Sequence, residues 1–191
     1  LHGVVSRHMW NNLWKSLPVA ETPIAHVTNG IHVPSYVGSW MNELLRQYLG
    51  SGWMQAPPGS GVWDKVDQIP DEVYWAARMH QKEALLDDLR RRIPEFIQKY
   101  RLPSDERKRM ESMLKPDTLI IGFARRFAPY KRATLIFADP DRLAKILNNP
   151  NRPVVLVFSG KAHPADEAGI NLIQEVLRMC SDERFLGRIF F

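Results

Sequence analysis

DTLIIGFA, residues 117–124, decides the fold. After its acidic start it is an unbroken apolar run of strand length, the pattern of a parallel strand covered on both faces; a strand with one wet face would alternate. Residues 130–147 downstream read as helix with a break at Pro140, PVVLVFSG as a second buried strand, ADEAGINLIQEVLRMC as a second helix and GRIFF as a third strand. Strand, helix, strand, helix, strand opens a doubly wound parallel sheet, a fold that binds ligands beyond the carboxyl ends of its strands. The fold class is α/β, and residues 116–191 make the first half of a Rossmann-like domain.

Working back from that strand, residues 36–115 form a helical segment with a Gly/Pro-rich connector. Residues 71–93 begin with acids and end with three arginines, which suits the dipole of a long surface helix. Shorter helices are expected at 94–100 and 104–114, and another at 39–49. The connector, residues 50–70, is dense in Gly and Pro, but its tryptophans Trp53 and Trp63 imply that it packs down. Residues 3–15 space their apolar side chains as an amphipathic helix stopped by Pro18. IAHVTNG then reads as a short strand at 24–27 running into a turn at Asn29 and Gly30.

The composition, 45% hydrophobic and 25% charged over 191 residues, is that of a globular protein. No apolar run approaches the roughly 18 residues of a membrane span, and the first residues lack the pattern of a secretory signal. The single cysteine, Cys180, excludes an internal disulfide and suits a reducing, cytoplasmic setting. A chain that starts without Met and stops on an apolar run reads as an internal piece of a larger protein. The net charge of +5 admits nucleic acid, a membrane surface or a phosphorylated ligand. RRR at 90–92 and ERKRM at 106–110 are interleaved with acids and lack a stacking pattern of aromatics, so they read as a solvated basic face and no nucleic acid is expected.

The loop after the first strand, ARRFAPYKR, concentrates Arg125, Arg126, Lys131 and Arg132 within eight residues. A helix is expected to start near Lys131, where the dipole already favours anions. The loop after the second strand, SGKAHPAD, adds Lys161 and His163 over the same crevice. Six such donors point to a phosphate held by side chains, because neither a glycine-rich dinucleotide fingerprint nor a Walker pattern is present. On the residues alone, Asn29 in TNGIHVP reads as a left-handed turn residue. His26 and His32 have no companion ligands at a metal spacing, so no metal is assigned, and His8 reads as a buried, satisfied histidine.

GVVSRHMW, HVTNGIHVPSYVG, GFARRFAPYKRATLIF, FSGKAHPAD and GRIFF together resemble the α-glucan (glycogen or maltodextrin) phosphorylases, most closely their shorter bacterial and archaeal branch. The resemblance implies a fragment of a GT-B glycosyltransferase. Residues 1–35 would close the N-terminal half and cross the domain junction ahead of the Rossmann-like half domain. The implied reaction is phosphorolysis of an α-1,4-glucan to glucose 1-phosphate with retention, with glucan, inorganic phosphate and the remainder of the parent polypeptide as partners. The family allows a homo-oligomer of the full-length enzyme. By motif, Arg126 and Lys131 carry the catalytic phosphate contacts, Asn29 meets the glucosyl unit, and Lys161, Arg125 and His163 line the substrate cleft. The family's cofactor is pyridoxal 5'-phosphate, acting through its phosphate; the lysine that bears it is expected beyond Phe191, so this piece is expected to be inactive and to hold no covalent cofactor. Where larger relatives carry His-Glu inside this motif, Ala128 and Pro129 stand here. The alternatives are a nucleotide-sugar-dependent GT-B enzyme of the glycogen or starch synthase type, or a non-catalytic glucan-binding relative.

Overall fold

Three parallel strands, β1 (Leu119–Ala124), β2 (Val154–Ser159) and β3 (Ile189–Phe190), lie side by side in the order β1-β2-β3. They belong to a computed structural model that describes residues 1–103 and 105–191. β1 pairs with β2 from Leu119 opposite Val154 to Ala124 opposite Ser159, whereas β3 pairs only Ile189 with Leu156 and Phe190 with Val157. The central strand behaves as its apolar sequence demands: Val154, Val155, Leu156 and Phe158 are all buried. β1 departs from expectation. It is an edge strand of the described sheet, and Leu119 and Ile121 are 57% and 42% exposed.

The connection from β1 to β2 is also less helical than its sequence suggests. No helix starts at Lys131; residues 129–131 and 135–137 form single 3₁₀ turns, and the only α-helix of the connection is Pro140–Leu147. Arg132 adopts the left-handed conformation, φ 55° and ψ 41°, which interrupts any helix between Lys131 and Ala133. Pro140, expected as a breaker, is instead the first helical residue, where its missing N–H is not needed; Asp139 caps the helix by accepting the Arg142 N–H at 3.0 Å. From β2 to β3 the chain passes through a helix at Glu167–Cys180, capped by Asp166 accepting the Gly169 N–H at 2.9 Å.

The long helix preceding the sheet spans Asp71–Tyr100, about 45 Å. It runs through Pro94, where the sequence suggests a second, separate helix. Leu86, Leu89, Ile93 and Phe96 recur on one buried face and join the core over β2. Burying four such side chains, at roughly 1.5–3 kcal/mol each, outweighs the roughly 3 kcal/mol cost of an interior proline. The helix ends on Arg101, also left-handed, with the Leu102 N–H donating back to the Ile97 carbonyl at 3.1 Å and the Leu102 side chain buried.

A short helix, Glu106–Met113, follows; its expected start at Ser104 lies outside the described residues. Glu106 is 2% exposed, one carboxylate oxygen accepting the backbone N–H of Gly187 and the other having no hydrogen-bond partner among the described residues, with the Arg109 guanidinium 4.0 Å away. Burial raises its pKa above the ordinary carboxylate value, opposed in part by the Gly187 bond and by Arg109.

At the other end, α-helix covers only His2–Trp10, and residues 11–14 tighten into a 3₁₀ turn. The Asn11 amide is tied there to the Leu17 carbonyl and the Thr22 hydroxyl, each at 3.0 Å. The strand expected at 24–27 does not form: Val27 is 94% exposed with no strand to pair with, and the Ile24 carbonyl is taken by the Arg7 guanidinium at 3.1 Å. His8 is exposed rather than buried. The helix expected at 39–49 is present as Ser39–Leu49 and packs on the long helix, with Trp40 stacked on His80 at 5.8 Å. The connector packs down through Trp53, which is 5% exposed and meets Trp63 edge-on at 6.1 Å.

Candidate functional site

β1 and β2 end level with one another, and their hydrogen-bond ladder continues into both following loops. Arg125 N–H donates to the Ser159 carbonyl at 3.1 Å, and Phe127 N–H donates to the Lys161 carbonyl at 2.9 Å. The approach is close enough that a Cβ on Gly160 would lie 2.0 Å from the Arg125 carbonyl oxygen. Phe127 anchors the first loop: its ring is fully buried, 5.6 Å from Phe123 and 5.7 Å from Phe191. Behind it stands the first turn of the Glu167–Cys180 helix, where a Cβ on Gly169 would come within 2.6 Å of the Phe127 carbonyl. The backbone that carries Arg125, Arg126 and Lys161 is therefore held from three sides.

Beyond Phe127, the 3₁₀ turn Pro129–Lys131 returns Lys131 to the loop. The Lys131 ammonium lies 4.5 Å from the centre of the Tyr130 ring. The Tyr130 phenol is held below its ordinary pKa, first by Lys131 and then by Arg126. Arg126 and Lys131, five residues apart in sequence, flank Tyr130 within one loop, a residue that sequence reasoning did not single out. The signal for Tyr130 was its position just ahead of Lys131 in a loop already marked by charge.

The other sequence-derived candidates fall into two groups. Arg125 and Lys161 sit on the paired loop backbones. His163 ends the second loop, where its Nδ1 accepts the Ala165 N–H at 3.1 Å; the proton of the neutral ring is then on Nε2. Arg132, which is exposed, lines a separate cavity of about 160 Å³ with Ile121, Phe123 and Ile136. Asn29 is exposed in irregular chain, and no hydrogen bond among the described residues joins it to the cationic loops. The left-handed turn expected there does not form either, since neither Asn29 nor Gly30 has a positive φ. His26 packs against Gly3, while the His32 Nδ1 shares a 2.8 Å hydrogen bond with the Ser35 hydroxyl, so the two histidines do different work. With no helix at Lys131, the expected dipole contribution from that position is lost.

The cations of the two loops have no acidic partner among the described residues, a trait shared by dispersed cations such as Lys65, Lys145 and Arg152; what distinguishes the loop cations is that they are clustered. Arg90, Arg91 and Arg92 pair with Asp87 or Asp88 at 2.7–3.1 Å, and Arg107 pairs with Glu111 at 2.8 Å, the surface ion pairs of an ordinary basic face. Among the described residues no salt bridge involves Arg125, Arg126, Lys131, Lys161 or His163. Like charges gathered without counter-charge repel one another, and a multivalent anion relieves that repulsion.

The chain is 40% identical over 192 residues to a maltodextrin phosphorylase of Thermococcus litoralis, an alignment that takes in 99% of the chain and 22% of that protein. It is 38% identical over 190 residues to a glycogen phosphorylase of Aquifex aeolicus, covering 100% of the chain and 27% of the relative. A glycogen phosphorylase of Mycobacterium tuberculosis is 37% identical over 191 residues, again across 100% of the chain and 22% of the relative. No family model and no solved structure matches the chain. Along its whole length the chain is homologous to a segment of glycogen and maltodextrin phosphorylases, and it spans about a quarter of their length, 22% to 27%.

Proposed function

We propose that this chain forms one wall of the phosphate site in an α-glucan phosphorylase, and that the longer polypeptide containing it cleaves α-1,4-glucans with inorganic phosphate to give glucose 1-phosphate with retention. The observation that carries the proposal is the cluster of Arg125, Arg126, Lys131 and Lys161 on two loops joined by the Phe127 N–H to Lys161 carbonyl bond, in a chain homologous throughout to proteins named as phosphorylases.

Each cation has a distinct part. The Arg126 guanidinium presents a planar fork that matches two phosphate oxygens at once, while the Lys131 ammonium acts as a point charge on a third. Holding both before the reaction begins favours charge that grows on oxygen as the glycosidic bond breaks. Lys161, Arg125 and His163 would line the same cleft, and Asn29 would meet the glucosyl hydroxyls. Asn29 would reach that position only with the remainder of the polypeptide in place.

The donor set also suits the phosphate of pyridoxal 5'-phosphate, since unpartnered guanidinium and ammonium groups are what a phosphate monoester requires. When bound, that group supplies a second phosphate beside the substrate phosphate. Arg126 and Lys131 are the residues of this chain that would hold it or its neighbour; the lysine that bears it is assigned to another part of the polypeptide. Among the described residues no helix is long and apolar enough to cross a membrane.

The test is to supply the full-length polypeptide with maltodextrin and phosphate. Glucose 1-phosphate should form, and none of the glucan should be extended from a nucleotide sugar. Extension from a nucleotide sugar would assign the chain to a synthase, and glucan binding with neither reaction would assign it to a non-catalytic relative.

A further inference from the structure

Two non-glycine residues of the described chain have a positive φ, and both are arginines. Arg101 is accounted for by the end of the long helix, where a left-handed residue lets the Leu102 N–H reach back to the Ile97 carbonyl. Arg132 ends no α-helix. It follows Lys131 directly, at φ 55° and ψ 41°, a region where a side chain bearing Cβ is disfavoured and where glycine, and to a lesser degree asparagine, sits comfortably. An unfavourable backbone held next to a candidate anion contact calls for a reason.

The surroundings supply one. Phe127 and Ala133 are both buried, at 0% and 2% exposure, so the five residues between them must leave the core and return to it. The Lys131 N–H donates to the Ala128 carbonyl at 2.9 Å, the Arg132 N–H to Pro129 at 3.0 Å, and the Leu135 N–H to the Arg132 carbonyl at 3.1 Å. Arg132 is thus the pivot between two successive turns. A right-handed residue there would continue the first turn and carry Ala133 away from its buried place or, with Ala133 held, swing Tyr130 and Lys131 together away from Arg126. Arg132, meanwhile, lines an apolar cavity with Ile121 and Ile136.

We infer that Arg132 is a positioning residue whose left-handed backbone, rather than its charge, holds Lys131 and Tyr130 in register with Arg126. The inference rests on the phosphate-site proposal above.

The experiment measures phosphorolysis by the full-length polypeptide with Arg132→Asn, Arg132→Val, Arg132→Gly and Arg132→Ala, alongside Lys131→Ala. The Asn and Val variants lose the charge equally but differ in tolerance of the left-handed region. The Val variant should therefore show a KM for phosphate at least about tenfold above that of the Asn variant, as expected for a displaced anchor, with the KM for glucan the same in both. If the Val variant fails to fold, the Ala and Gly pair decides, Ala showing the higher phosphate KM. Equal phosphate KM values across all four variants would make the side chain or neither feature responsible and would overturn the inference. A phosphate KM unchanged in Lys131→Ala would instead remove the phosphate site itself, whatever the Arg132 series shows.

Discussion

The backbone N–H of Phe127 donates to the carbonyl of Lys161 at 2.9 Å, joining the loops that follow two neighbouring parallel strands. Through that bond the cations of one loop and those of the other are positioned by a single continuous ladder rather than by two independent loops. A doubly wound sheet gathers ligand contacts at the carboxyl ends of its strands, and here the gathering is done by backbone pairing that outlasts the strands themselves.

Gly160 makes that pairing possible. A Cβ at this position would lie 2.0 Å from the Arg125 carbonyl oxygen and 3.0 Å from its carbon, both backbone atoms that have no side-chain freedom to yield. Gly160→Ala should therefore lower stability by about 1–3 kcal/mol, the usual range for overpacking, and raise the KM for phosphate of the proposed reaction in the full-length polypeptide. Urea unfolding and steady-state kinetics measure the two effects; an Ala variant matching the wild type in both would show that the loops are free to part.

Phe127 fixes the same loop from beneath. Its ring is fully buried against Phe123 and Phe191, so Phe127→Ala should cost roughly 3–5 kcal/mol. Arg125→Ala, on the exposed side of the same loop, should leave the unfolding midpoint nearly unchanged. Similar midpoints for the two variants would contradict the anchoring role.

Glu106 predicts a pH dependence. Burial raises its carboxyl pKa in the folded state, with Asp105 adding to that rise and Arg109 and the Gly187 bond opposing it. The folded state then keeps this proton to a higher pH than the unfolded chain does. The resulting stabilisation is complete below the unfolded carboxyl value of about 4.3 and is lost as pH rises through the folded value. Glu106→Gln keeps an oxygen for the Gly187 N–H and cannot titrate. Its stability relative to the wild type should rise from about pH 4 to about pH 7, and a difference constant across that range would contradict the shift.

The sheet was legible because burial and sequence agree in β2, where Val154, Val155, Leu156 and Phe158 are all inside. β1 carries the same kind of apolar run yet lies at an edge, since a run of apolar residues reports that a face needs covering and not what covers it. Pro94 misled in the other direction: local propensity predicts a break, and the buried face through Ile93 and Phe96 carries the helix across it. In the site, the charge of Arg125, Arg126, Lys131 and Lys161 could be read directly. The left-handed Arg132, the Lys131 ammonium over the Tyr130 ring and the contact of Gly160 with Arg125 could not, because each depends on where the backbone turns rather than on residue type.

The central claim is that Arg126 and Lys131 hold phosphate. The most direct measurement is the rate of glucose 1-phosphate formation from maltodextrin by the full-length polypeptide carrying Arg126→Ala or Lys131→Ala. Each substitution should lower kcat/KM for phosphate by about 100-fold or more, the usual consequence of removing a preorganised charge at a reacting centre, with the melting temperature close to that of the wild type. Near-normal kcat/KM in both variants would contradict the account.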